Sequence, residues 1–167
     1  ADFRLMADTA RIGFVFAARG IAPESASSWF LPRIVGINQA LEWCLTARVF
    51  PASEALAAGL VRSVHPPEDL LAAARALADE VASRTAPVSA AVTRQMLWRM
   101  LTVDHPMEAH RVDSLAVAEL GRMPDAREGI ESFLEKRDPR WSLQPSRDEP
   151  AWYPWWQEPT YDGTGRG

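Results

Sequence analysis

With one cysteine, Cys44, the chain cannot form a disulfide within itself, and the expectation is a reducing, cytoplasmic setting. No apolar run approaches the roughly 20 residues that cross a bilayer, so no membrane-spanning helix is expected. Charges at Asp2, Arg4 and Asp8 argue against a secretory signal at the start of the sequence. Net positive charge is also lacking: the formal charge is -4 and the pI is near 5.4, which gives no general basic field for nucleic acid. His65, His105 and His110 have no cysteine or acidic partners at ligand spacing, so no metal site is expected, and His65 and His105 are assigned to the surface. Cys44 has no neighbouring cation that would hold a thiolate, and packing is its expected role. There is no internal repeat.

What is present suits one globular domain: 167 residues, 47% of them apolar. Ala1 to Ala7 reads as a strand, Asp8 to Ala10 as a turn, and Ile12 to Phe16 as a second strand. Gly20 to Ser28, with its Gly, Pro and Ser, reads as a loop that opens a short helix. Ile37, Leu41, Cys44 and Leu45 keep helical spacing after Asn38, the candidate N-cap. A short helix over Ser53 to Ala58 should stop at Gly59, and Leu60 to His65 should be a strand closed by Pro66 and Pro67. Glu68 to Ser83 carries a helical stripe of Leu70, Leu71, Ala74, Leu77, Ala78 and Val81. Further helices are expected from Pro87 to about Leu101, from Met107 to Leu120, and from a capping-box-like opening at Asp125 to Glu128 through Lys136. Gly163 to Gly167 reads as disordered.

Two or three strands against about six helices make a poor sheet on their own, because small strand pairs are marginal without neighbours. The sequence also begins without Met, directly on strand-like residues. Together these predict that an upstream segment, or another chain, completes the sheet.

The stretches Ala1-Asp-Phe-Arg-Leu-Met-Ala7, Ala10-Arg-Ile-Gly-Phe14, Arg19-Gly-Ile-Ala-Pro23 and Leu31-Pro-Arg-Ile-Val-Gly36 resemble, in order and spacing, the second half of the crotonase core. Leu45-Thr-Ala-Arg48 is similar to that superfamily's "LTGR" turn. Ala52-Ser-Glu-Ala-Leu-Ala-Ala-Gly-Leu-Val61 is similar to its "AxEAxxxGLV" stretch, and Glu128 to Arg137 to its closing "EGxxAFxEKR" helix. The likeness covers residues 1 to about 141. It implies an α/β crotonase-like fold and an enzyme of the enoyl-CoA hydratase/isomerase kind. Residues 1–66 would be the last part of the core, 67–141 a helical oligomerisation region, and 142–167 a Trp- and Pro-rich tail. The assembly implied is a trimer or a dimer of trimers. No cofactor is implied beyond the coenzyme A carried by an acyl-CoA substrate.

The chemistry that the resemblance implies is enolate stabilisation, in which two backbone N–H groups hold the thioester oxygen as negative charge develops on it. Both donors belong to the superfamily's N-terminal half, which the resemblance does not reach. Hydratases of this kind use two glutamates, and the second ends an "FGxPE" run. Here the matching run is Ile12-Gly-Phe-Val-Phe16, and Phe16 cannot move a proton. Glu24, in Ala22-Pro-Glu-Ser25, stands instead where peroxisomal-type isomerases carry a carboxylate that shuttles a proton, and where related dehalogenases carry a nucleophile. A carboxylate set among Phe14, Phe16, Trp29 and Phe30 would suit a general base working near neutrality; the plain alternative is a carboxylate capping the next helix. Phe16, Ala22, Pro23 and Trp29 are the expected substrate-pocket residues. By the same resemblance Phe133 and Lys136 would meet the nucleotide end of coenzyme A, although a solvated helix end explains them equally well. The aromatic run Trp152-Tyr-Pro-Trp-Trp156 is expected to pack, either on a neighbouring surface or back on its own helices.

Overall fold

The first strand, β1 (Leu5–Ala7), buries Met6 and runs parallel to β4 (Ser63–His65), with Leu5 opposite Ser63 and Ala7 opposite His65. A parallel pair needs a long crossover, and helices supply it here. The order is β2 (Arg11–Gly13), α1 (Ser27–Val35), α2 (Ile37–Thr46), β3 (Val49–Pro51) and α3 (Ala52–Ala57), before β4. β2 and β3 pair antiparallel, Ile12 facing Phe50. The computed structural model describes residues 1–160, so the disorder expected at Gly163 to Gly167 lies outside the described residues. Among the described residues no helix is long and apolar enough to cross a membrane.

Two compact units result, Ala1–Ala78 and a second from Asp79 onward, the division falling within α4 (Pro67–Arg84). The core of the first is an aromatic stack. Trp43 and Phe50 are fully buried with ring centroids 4.1 Å apart, and Phe14 stacks 6.0 Å from Trp43. Met6, Leu31, Ala40, Ala52, Ala55, Leu60 and Val61 close around them.

This stack explains where the elements differ from expectation. β2 stops at Gly13 instead of continuing to Phe16, because the chain turns to bring Phe14 into the core and then forms a short 3-10 turn at Ala17–Arg19. Gly13 permits the close strand approach: a Cβ there would lie 3.0 Å from Val49 Cγ2 and 3.3 Å from the Arg48 carbonyl oxygen. On α2 the stripe Ile37, Leu41 and Leu45 faces outward, Leu45 being 73% exposed, while Ala40 and Trp43 form the buried face. An indole covers more apolar area than any aliphatic side chain, so the face that carries Trp43 is the one buried. Gly36, not Asn38, is the N-cap of that helix. Cys44 packs against the core, half-buried, and burial pushes its thiol upward from the usual range. β3 was not anticipated; it has three residues and ends on Pro51, which lacks a donor to extend the ladder. α3 ends as expected, with Gly59 at φ 73°.

α4 forms over its predicted span, yet none of its residues is fully buried. In the second unit α5 (Pro87–Arg99), α6 (Pro106–Leu120) and α7 (Pro124–Glu135) each open on a proline, whose missing N–H costs nothing in a first turn. Val88, Val92 and Ala116 are its buried apolar residues, with Met96, Leu120, Met123, Leu143, Trp152, Tyr153 and Trp155 packed around them. The aromatic tail therefore lies on its own helices. Asp125 and Glu128 do not make the expected capping box. Asp125 is 4% exposed and accepts from the Ser142 N–H (2.8 Å), the Ser142 hydroxyl (2.8 Å) and the Leu143 N–H (3.3 Å). Glu128 accepts from the Arg137 guanidinium and, at 2.6 Å, from the Arg140 N–H. Both carboxylates fasten the returning chain, because they sit where its unpaired N–H groups pass.

Candidate functional site

Glu24 sits in an exposed segment between the 3-10 turn and α1. Its backbone carbonyl accepts from the Ser27 N–H (3.0 Å) and the Ser27 hydroxyl (2.6 Å). Two successive residues after it, Ser25 at φ 54° and Ala26 at φ 55°, are left-handed. For side chains with a Cβ this conformation is strained by about 1–2 kcal/mol each, and such strain persists only where the surroundings impose it. Here the Ala26 carbonyl takes the first hydrogen bonds of α1, from the N–H groups of Trp29 (2.9 Å) and Phe30 (3.1 Å). The kink therefore turns the chain sharply into the helix and leaves Glu24 at its outer edge. The carboxylate makes no hydrogen bond or ion pair among the described residues, so it is not a helix cap.

The apolar setting expected for Glu24 is not supplied by these neighbours. Phe14 belongs to the core stack. Phe16 is half-buried, with its carbonyl accepting from the N–H groups of Arg19 (2.9 Å) and Ile21 (3.2 Å). Trp29 packs edge-on against Phe30, with centroids 4.7 Å apart, and carries the Arg33 guanidinium 4.1 Å above its ring. Ala22 and Pro23 are exposed beside Glu24. The structure thus gathers Ala22, Pro23 and Glu24 on one open segment, while Phe16 and Trp29 belong to the elements that flank it.

Phe133 and Lys136 belong to the second unit. Phe133 is 81% exposed, and Lys136 ends α7 in a left-handed conformation, φ 55°, its N–H bonded to the Phe133 carbonyl at 3.3 Å. Ile130 and Leu134 share the open face with Phe133. His65, assigned to the surface, is half-buried on β4 with its Nε2 2.8 Å from the Ser63 hydroxyl, and His105 is exposed, its Nδ1 accepting from the Met107 N–H. Among the described residues no group of three or more His, Cys, Asp or Glu side chains could hold a metal.

One charged cluster was missed in the sequence. Arg48 bonds to Glu54 through both terminal nitrogens and to Glu42 at 2.6 Å, and the Trp43 indole N–H donates to Glu54 at 2.7 Å. The Arg48 guanidinium, aided by Trp43, holds the Glu54 carboxyl below the usual carboxylate range, and Arg48 itself is pushed up. Its role is to fix the turn between α2 and β3 against the indole. Arg48 and Glu54 both lie within quoted motifs, but nothing in their spacing says that they meet.

A short parallel strand pair, a crossover of helices and a helical unit after it define a piece of the crotonase fold. The sequence pattern of the family described as enoyl-CoA hydratase/isomerase matches residues 1–144. An enoyl-CoA hydratase of Alternaria alternata is 36% identical over 140 residues, which is 83% of this chain and 47% of that protein. Among solved structures, an enoyl-CoA hydratase from Bacillus anthracis superposes with a TM-score of 0.80 at 28% identity, covering 84% of this chain and 54% of that one. An enoyl-CoA hydratase/isomerase from Cupriavidus metallidurans does so with a TM-score of 0.77 at 30% identity, covering 90% and 54%. The chain belongs to the enoyl-CoA hydratase/isomerase family. It spans about half the length of the relatives it matches.

Proposed function

We propose that this chain is the carboxylate-bearing portion of an acyl-CoA enzyme that moves a proton on an enoyl-CoA, with Glu24 as acid and base. The observation that carries the reading is the position of Glu24 at a strained kink, Ser25 and Ala26 both left-handed, in the stretch where the resemblance places a working carboxylate. Phe16 in place of the other glutamate favours proton shuttling between two carbons over a two-glutamate addition of water. The backbone N–H pair that holds the enolate oxygen would come from outside this chain. The same segment, or a partner subunit, would cover Glu24 and dry it. Phe16, Ala22, Pro23 and Trp29 would border the acyl group, and in an assembly Phe133 and Lys136 would meet the nucleotide of a coenzyme A held by a neighbouring subunit. Exposed Ile130, Phe133 and Leu134 suit an assembly of trimer or hexamer type, measurable by light scattering.

The test is Glu24→Gln in the full-length protein, with deuterium exchange at C2 and C4 of the acyl chain as the readout. Exchange should fall by about 10²–10⁴-fold while acyl-CoA affinity stays unchanged. Unchanged exchange, or equal losses in exchange and affinity, would remove Glu24 from the chemistry. Its exposure favours one rival reading, a non-catalytic subunit that only assembles with a partner. A Glu24→Gln assembly of full activity would establish that rival. A covalent acyl-Glu24 adduct seen by mass spectrometry would instead mark a nucleophile.

A further inference from the structure

We propose that residues 142–158 form a reversible strap over the core of the second unit, hinged at Asp125 and latched by Arg99. The family pattern ends at residue 144, so most of this segment lies beyond that pattern. Its two ends are held very differently. At the near end, buried Asp125 takes two backbone N–H groups and a hydroxyl from Ser142 and Leu143. A tight turn follows, in which the Asp148 carboxylate accepts from the Gln144 N–H at 2.8 Å and the Gln144 carbonyl accepts from the Asp148 N–H at 2.8 Å.

In the middle, Trp152, Tyr153 and Trp155 lie against Val88, Val92 and Ala116. At the far end the Arg99 guanidinium sits 3.7 Å over the Trp156 ring and pairs with Glu158, which also accepts from the Trp156 indole N–H at 2.6 Å. Glu158 is exposed, so the latch is open to solvent and to salt while the hinge is buried. Arg99 Nε and Trp152 Nε1 are buried without a hydrogen-bond partner among the described residues. Opening the strap would hydrate both donors, which offsets part of the apolar contact that closes it. Opening from the far end would bare Val88, Val92 and Ala116 without disturbing the Asp125 anchor.

Amide hydrogen exchange on the full-length protein separates a strap from a fixed piece of core. The Tyr153 N–H, bonded to the Pro150 carbonyl at 2.9 Å, reports the strap, and the Leu143 N–H reports the hinge. Arg99→Ala should speed exchange at Tyr153 by about tenfold, with Leu143 and the amides of α5 nearly unchanged. Glu158→Gln, a surface change that cannot unfold the unit, should speed Tyr153 by about threefold. Should Arg99→Ala unfold the unit, the Glu158→Gln result decides alone. An unchanged Tyr153 rate in Glu158→Gln would overturn the latch. A rise shared equally by Tyr153, Leu143 and α5 would show a segment that opens only with the whole unit, and would overturn the strap.

Discussion

The two units of this chain solve the same problem with different materials. The first builds its interior from large rings, Trp43, Phe50 and Phe14, which bury much area per residue and need only short strands and helices around them. The second has a thin interior of Val88, Val92 and Ala116, and relies on carboxylates that catch passing N–H groups and on aromatic residues brought back by the tail. Loss of one ring should therefore hurt the first unit through its packing, whereas the second should respond to charge and pH.

The largest expected effect tests the first half of that contrast. Trp43→Ala should destabilise the first unit by about 3–5 kcal/mol, because it empties the centre of the stack and strips Glu54 of a donor. Chemical denaturation followed by near-ultraviolet circular dichroism measures it, and a loss below about 1 kcal/mol would mean that the stack is not the core. Smaller and opposite in sign is Ala47→Gly. Ala47 ends α2 at φ 50°, a left-handed position that costs a methyl-bearing residue about 1 kcal/mol relative to glycine, so the midpoint of unfolding should rise.

The smallest effect sharpens the other half. Hydrogen bonds from the Arg137 guanidinium, then from the Arg140 N–H, hold the Glu128 carboxyl down to about 2, against 4.5 for an ordinary glutamate. A depressed folded-state value means that this contribution is present above about 4.5 and is lost as pH falls toward 2. Glu128→Gln should accordingly lower stability by a constant amount above about 4.5 and flatten its fall over the window below. A titration of the unfolding midpoint from pH 6 to pH 2 reads it. An unaltered acid limb would show that the anchor carries no weight.

Much of this architecture could be read in the residues. Helices from Glu68 onward follow from periodicity and from prolines at their first turns, and the ordered motifs up to Arg137 carry the family. Orientation was harder. On α2 the periodic stripe Ile37, Leu41 and Leu45 looked like the inner face, but a single indole on the other side outweighed it. Carboxylate partners were also invisible: Asp125 and Glu128 have the spacing of a capping box, and only the path of residues 140–143 decides that they bind elsewhere. For the site, the sequence singled out Glu24, Ala22 and Pro23 but not their exposure, nor the left-handed pair beside them, since serine and alanine give no warning of positive φ.

The pairing of β1 with β4 also sets a schedule. Leu5 must find Ser63, while all of α1, α2 and α3 lie in between. At about 5–20 residues per second of synthesis, β1 waits some seconds for its partner, whereas a helix closes in about a microsecond. The ladder between β1 and β4 can therefore form only after all three helices have been made, and closing a loop of that span is a cost that the parallel register imposes.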